Sequence, residues 1–370
     1  MNGTADIVVV GGGAMGTAAA RELAIRGRDV TLLERFDIGH ANGSSHGATR
    51  IFRLAYFHPD YVRMARLALD EWRELEDAAG ERLLTTTGGI DLGPGAELAA
   101  GSLEAAGVPF AWLTAEAVRE RWPDVRMGSG ERALFQDSAG VVAADRTVRA
   151  LARAAREAGA TIRERTQVEA LIPVGDAIEV RSQAGVMRAS TAIVAAGAWA
   201  GPLLQGAGLH LPLGVTQEQV SYFARARGDS PLPTLIEWME PPTPHRYLVP
   251  DPGQPWSVKL GEHGAGGKVT AETRTFDADP GGVERVRAWS LERCTGLSGT
   301  ARHETCLYTN TPDEDFVLDR VGPVVIASAC SGHGFKFTPL VGRLVADLAT
   351  GTAPPLPLER FSCVRPSLGV

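Results

Sequence analysis

The sequence predicts an α/β protein of two interleaved lobes, and three observations carry that expectation. The first is a β-branched run, Ile7 to Val10, that leads directly into Gly11-Gly12-Gly13-Ala14-Met15-Gly16 and then into an alanine-rich stretch. The second is the return of short apolar runs at Val30 to Leu33, Ala192 to Trp199 and Val324 to Ser328, the pattern of parallel strands buried on both faces. The third is a middle section, about 215 to 304, in which strands alternate with turns rather than with helices. At 370 residues the chain is long enough for two cores. The expected division is 1–84, 141–214 and 305–370 for one lobe, and 85–140 and 215–304 for an α+β substrate lobe.

The N-terminal strand, turn and helix read as a dinucleotide site. Gly11 permits the sharp reversal, Gly13 lets a pyrophosphate approach the backbone, and Gly16 lets the helix pack close to the strand. The diphosphate then lies at the helix N-terminus, where free N–H groups point outward. Glu34 ends the second strand about twenty residues beyond the glycines, where a carboxylate accepts hydrogen bonds from a ribose diol and disfavours a 2′-phosphate. After it, the segment His40 to Arg53 is polar and glycine-rich with no helix or strand period, so it is expected as a loop lying against a flat ligand. Arg50 and Arg53 are its notable charges.

From Pro59 to about Ala78, Tyr61, Met64, Leu67, Leu69, Trp72 and Leu75 recur at helical spacing and predict an amphipathic packing helix. Thr85 to Leu92 reads as one strand entering the second lobe, followed by helices near Leu98 to Ala106 and Ala115 to Arg121. Asp145 is expected to N-cap a helix that runs to about Glu157 and is closed by Gly159. Strands follow at Thr161 to Glu164 and Val168 to Ile172. In the middle section Tyr247 to Pro250 and Val258 to His263 read as strands. The tail carries Glu304 to Thr309 and then a glycine-spaced turn, Cys330-Ser331-Gly332-His333-Gly334-Phe335-Lys336-Phe337, that feeds a helix of about Thr338 to Ala349. Such a turn between strand and helix is a second place where backbone can lie against a cofactor.

Composition narrows the function. Net charge is −7 and the Lys/Arg residues are scattered, which argues against nucleic acid or an anionic membrane as partner. No apolar run approaches the roughly 18 residues needed to cross a bilayer, and the N-terminus lacks a signal-peptide pattern, so a cytoplasmic protein acting on a small molecule is expected. Cys294, Cys306, Cys330 and Cys363 show no metal-ligand spacing.

Taken together, the glycine turn, His46-Gly47-x-Thr49-Arg50-Ile51-x-Arg53, Lys259-Leu260-Gly261-x-His263, Cys306-x-Tyr308-Thr309 and Ser331-Gly332-His333-Gly334-Phe335-Lys336-Phe337 resemble the monomeric sarcosine oxidase and N-methyltryptophan oxidase family of FAD-dependent amine oxidases. The resemblance covers essentially the whole chain. It implies a Rossmann-type FAD-binding domain interleaved with a mixed-sheet substrate-binding domain, with cofactor contacts at Gly11, Gly13, Gly16, Glu34, Val168, Gly332 and Gly334. Cys306 matches the cysteine that carries FAD through a thioether. Arg53 and Lys336 match the pair that binds the substrate carboxylate, one as a planar fork and one as a point charge. Lys259 matches the lysine over the flavin where oxygen is reduced, His263 and His46 match active-site histidines, and Arg50 a flavin-contacting arginine. Tyr308 and Tyr247 match aromatics lining the amine end. Cys330 stands where the sarcosine-specific enzymes carry an aromatic residue, and Glu240-Pro241-Pro242-Thr243-Pro244 has no counterpart in the pattern.

The activity so implied is oxidation of a secondary or N-methyl amino acid to an imine, with O2 reduced to H2O2, by a monomer. Two competing readings follow from the same residues: a flavin oxidase or dehydrogenase of a cyclic amino acid in a biosynthetic pathway, and a flavin-binding sensor or structural protein without turnover. Peroxide yield separates the first from the main reading, and anaerobic bleaching of the flavin by an amine excludes the second.

Overall fold

The computed structural model describes residues 3–369. The strand Gly3–Val10 lies at the centre of an eight-stranded sheet, flanked in parallel by Val30–Leu33 and by Gly185–Val194, with which it pairs from Met187 onward. Thr161–Arg163 extends the sheet on one side. On the other, Gly185–Val194 divides: its first half pairs antiparallel with Ala177–Ser182, and its end pairs in parallel with Val324–Ser328. The burial of Val8, Val9, Val30 and Leu32 on this sheet is complete or nearly so, as expected for strands covered on both faces.

Helix Ala14–Ile25 covers the sheet and packs against Thr338–Thr350, where a side chain at Gly342 would approach the Ala18 Cβ to 2.7 Å. The close approach buries the small faces of both helices. A nine-stranded, mostly antiparallel sheet forms the other layer. Its long strands Gly214–Arg225 and Leu297–Asn310 pair along their whole length, and Ser257–His263, His245–Pro250 and Thr234–Glu237 follow in order. A three-stranded sheet of Thr49–Phe52, Gly140–Ala143 and Leu84–Thr86 lies between them in sequence.

Several local expectations are corrected. Thr85 to Leu92 is two strands in different sheets, Leu84–Thr86 and Gly89–Leu92, because Gly88 turns the chain with φ of +73°. The segment after Glu34 is not wholly loop, since Thr49–Phe52 pairs with Gly140–Ala143. Asp145 does not cap its own helix. That helix starts at Ala144 with no side-chain cap, and the Asp145 carboxylate accepts the Gly47 N–H at 2.8 Å, fixing the loop above it. The strand before Trp199 ends at Val194, and residues 197–199 form a 3₁₀ turn.

The helix Pro59–Ala79 begins as proline at its first position and a glycine at its end dictate, with His58 accepting from Asp60 N–H and Gly80 left-handed. It does more than pack. Trp72 donates its indole N–H to the Lys336 carbonyl at 2.7 Å, and the Tyr61 hydroxyl accepts the Phe316 N–H at 3.2 Å. Both bonds fix the approach to one end of the cavity described next. Among the described residues no helix is long and apolar enough to cross a membrane.

Candidate active site

One cavity of about 680 Å³ runs between the two large sheets, from the N-terminal glycine turn to the strands of the antiparallel sheet. At its first end Gly11 takes φ of +104°, and a side chain there would sit 2.5 Å from the Ala195 carbonyl oxygen. Gly13 precedes the helix, and Ser45 accepts the Ala14 N–H at 3.0 Å. Gly16 does not line the cavity; any side chain at that position would collide with the Gly11 carbonyl, so its role is helix-to-strand packing. Glu34 and Val168 lie in the wall beyond. Burial pushes the Glu34 carboxyl upward, but hydrogen bonds from His40 and from the Phe36 and Gly12 N–H groups outweigh it and hold the group ionised below its ordinary range.

At the other end the site is the face of a sheet. Side chains alternate along a strand, so period two brings His245, Tyr247 and Val249 to one face, and Glu304, Cys306 and Tyr308 to the same cavity. Lys259 and His263 come from Ser257–His263, the strand paired with His245–Pro250, and Gly261 separates them because Tyr247, its cross-strand partner, fills the space: a Cβ there would meet the Tyr247 hydroxyl at 2.5 Å. Gly332, left-handed at φ of +72°, serves the same purpose from the opposite wall. A side chain at Gly332 would overlap Tyr308 and His263, so this glycine makes room for site residues as well as lining the cavity. Gly334 permits the turn itself, its Cα facing the Ala329 carbonyl.

Four cations surround this end. Lys259, Arg53 and Lys336 are 3%, 8% and 6% exposed, and among the described residues none of them, nor Arg50, has a carboxylate within 4 Å. Unpaired buried charge is costly, and the ammonium groups show it. Burial pushes Lys259 down to about 7, helped by the Arg50 charge, while its Nζ donates to the Thr49 carbonyl. Burial and the neighbouring Arg53 hold Lys336 well below the ordinary lysine range; it donates to the Tyr56 hydroxyl at 2.8 Å and the His333 carbonyl at 2.7 Å. The Arg53 guanidinium has Nη1 buried without a hydrogen-bond partner. Arg50 is engaged differently: its N–H groups donate to the Thr49, Ser44 and His46 carbonyls, tying the loop into shape.

The histidines are neutral. Burial depresses both His46 and His263 to about 4, reinforced by nearby Arg50 and Arg53 respectively, and His46 Nε2 is buried without a partner. Burial pushes the Cys306 thiol up to about 11, and the Arg50 and Lys259 charges oppose it. Cys330 receives the Thr309 N–H at 3.3 Å. The cavity therefore collects the candidate cofactor, substrate and catalytic residues named from the sequence, with the exception of Gly16.

It also holds residues that sequence reading passed over. Tyr56 and Trp238 flank Arg53, His333 accepts or donates at Tyr56 across 3.4 Å, and Tyr222 donates to Glu304 at 2.8 Å. For Glu304 a signal existed, since it stands two positions before Cys306 and four before Tyr308 on one strand face. For Trp238 none did, because Arg53 and Asp91 lie far from it in the chain, and for Tyr56 the nearby Arg53 gave no hint of the bond to Lys336.

A nucleotide cofactor such as FAD fits what is here. The glycine cradle at one end admits backbone-close phosphates, and the orphaned His46 Nε2 and Arg53 Nη1 at the other await partners the protein does not supply.

Comparison with known proteins points to the same cofactor. The family model for FAD dependent oxidoreductases matches residues 6–348. Monomeric sarcosine oxidase of a Bacillus species (strain B-0618) is 34% identical over 379 aligned positions, covering 98% of this chain and 96% of that protein. Peroxisomal sarcosine oxidase of Homo sapiens is 33% identical over 380 positions, covering 98% and 97%. Among solved structures, NikD, described as an unusual amino acid oxidase essential for nikkomycin biosynthesis, superposes with a TM-score of 0.88 at 28% identity, covering 97% of each chain.

Proposed function

The chain belongs to the FAD-dependent oxidoreductase family, and on that premise we propose that it oxidises a secondary or N-methyl amino acid to an imine, with O2 reduced to H2O2. The observation that carries the substrate reading is the pair Arg53 and Lys336, two buried cations without an anion, beside the same tyrosine. A buried site with two cations and no counter-charge selects a carboxylate, and a simple amine would leave both charges uncompensated.

FAD held along Gly11, Gly13, Glu34 and Gly332 would supply the two-electron acceptor for the carbon next to the amine nitrogen and the route of those electrons to dioxygen. The protein's own groups do the rest. Arg53 and Lys336 hold the carboxylate and so fix which carbon faces the flavin. Tyr247, Tyr308 and neutral His263 enclose the amine end without adding positive charge, which favours the unprotonated amine. Lys259, with its ammonium aimed at a buried carbonyl, supplies a cation where negative charge develops on oxygen, and this favours an oxidase over a dehydrogenase. Cys306 is the proposed point of covalent flavin attachment; burial keeps its thiol protonated, and the nearby Arg50 and Lys259 charges offset part of that burial.

The remaining elements of the reading are a monomeric, cytoplasmic protein, with the FAD-binding part at 1–84, 141–214 and 305–370 and the substrate-binding part at 85–140 and 215–304. The deciding experiment is anaerobic mixing of the yellow protein with sarcosine, N-methyl amino acids, cyclic amino acids and their decarboxylated amines. Bleaching by the acids and peroxide release on admitting air is the expected result. Bleaching by amines alone, or by none, overturns it.

A further inference from the structure

Arg53 is a buried cation with no anion beside it, and the groups packed on it show how it is kept so. Its guanidinium carbon lies 4.2 Å from the centre of the Tyr56 ring and 4.9 Å from that of Trp238. Cation–π attraction to the two rings compensates part of the lost hydration without using any N–H. At the edge of its ring Trp238 donates its indole N–H to the Asp91 carboxylate at 2.8 Å. Asp91 is 3% exposed and has no cation within ion-pairing distance among the described residues. Burial raises the Asp91 carboxyl to about 6, opposed first by the Arg53 charge and then by the bond from Trp238, so above neutral pH it is ionised.

The indole is held rigidly. Its backbone N–H donates to the Leu92 carbonyl at 2.9 Å, and the rings of Phe57 and His245 lie 4.5 and 4.7 Å from it. A side chain at Gly95 would come within 2.6 Å of its Cγ, so the glycine there is required for the ring to fit. These contacts hold the indole with Asp91 at its edge and Arg53 over its ring.

We propose that Asp91 and Trp238 are positioning residues for Arg53: the indole stands between carboxylate and guanidinium, so that Asp91 neutralises the cation at a distance while leaving its N–H fork free for a substrate carboxylate. This rests on the reading of Arg53 as a carboxylate site. A carboxylate in direct contact would occupy the fork and compete with the ligand, and no counter-charge at all would leave the cation fully uncompensated in the ligand-free protein. Interposing an aromatic donor avoids both. Because Trp offers a single N–H and no acceptor, it can fix Asp91 while presenting only its π face to the guanidinium.

The test uses the flavin-loaded protein, with benzoate and acetate as carboxylate probes, benzamide as the neutral control, flavin absorbance to read binding, and thermal melting with and without probe. Asp91→Asn keeps an acceptor for the indole but removes the charge. It should tighten benzoate binding by about threefold or more, and lower the melting temperature of the ligand-free protein more than that of the benzoate complex. Trp238→Phe releases Asp91 toward Arg53 and should weaken benzoate binding by roughly tenfold, and the double variant Trp238→Phe with Asp91→Asn should recover to within about threefold of the parent. A double variant as weak as Trp238→Phe alone, or an Asp91→Asn protein that binds benzoate no tighter and loses stability equally with and without it, overturns the proposal. Arg53→Met binding both carboxylates as well as the parent, or a parent that binds neither, overturns instead the carboxylate reading beneath it.

Discussion

The Lys336 ammonium donates to the Tyr56 hydroxyl at 2.8 Å while the same tyrosine ring lies 4.2 Å from the Arg53 guanidinium carbon. One side chain thus spaces two like charges: its polar tip satisfies one cation and its face the other. Replacing either cation with Met should weaken carboxylate-bearing substrates and inhibitors by about 1.5–3 kcal/mol, the range for hydrogen bonds to charged groups, and hardly affect the decarboxylated amines. Steady-state kinetics on matched acid and amine pairs check this. Equal losses on both members of a pair would assign the residues to the fold.

Lys259 should divide the two half-reactions. Lys259→Met is expected to leave anaerobic flavin reduction within about tenfold of the parent and to slow reoxidation by air by roughly 10² or more, because negative charge develops on oxygen only in the second step. The pH dependence has a definite sign. With the amine depressed to about 7, the ammonium is present below that pH and is lost as pH rises through it, so reoxidation should slow on the alkaline side. The Met variant should lose this dependence. Stopped-flow traces of each half-reaction settle it, and a collapse of reduction with reoxidation intact would make Lys259 a substrate ligand.

Covalent attachment at Cys306 predicts that the flavin stays with the protein pellet after acid denaturation, since a thioether does not depend on folding. Cys306→Ser should release it to the supernatant. Yellow supernatant from the parent protein rules the linkage out.

His46 and His263 predict an acid limit to stability. Both are held near 4 in the folded protein, whereas an exposed histidine titrates near 6.5, so between those values the unfolded chain binds protons that the folded one does not. Stability should therefore fall as pH drops from about 6.5 toward about 4, by on the order of 3 kcal/mol for each histidine, and level off below. Urea denaturation across that range, repeated with His263→Gln, should show a shallower fall in the variant. An unchanged slope would mean that His263 is already charged in the folded state.

What the sequence determined by itself were features written in local spacing: the glycine turn, whose positive φ at Gly11 admits little else, and the strand–helix units around it. The alternation Glu304, Cys306, Tyr308 is of the same kind, because period two commits them to one face whatever lies opposite. Short strands escaped. Thr49–Phe52 has no period of its own to detect, and it is a strand only because Gly140–Ala143 comes alongside. The charge balance of the site was equally out of reach. Asp91 and Trp238 are 147 positions apart and Tyr56 and Lys336 are 280 apart, and whether a buried charge is paired, shielded by a ring or left free depends on which distant groups the packing brings within a few ångströms. Local sequence sets a residue's type and the face it occupies, whereas the electrostatic energy of a buried ion is set by every group around it, and those neighbours are assembled only by the tertiary fold.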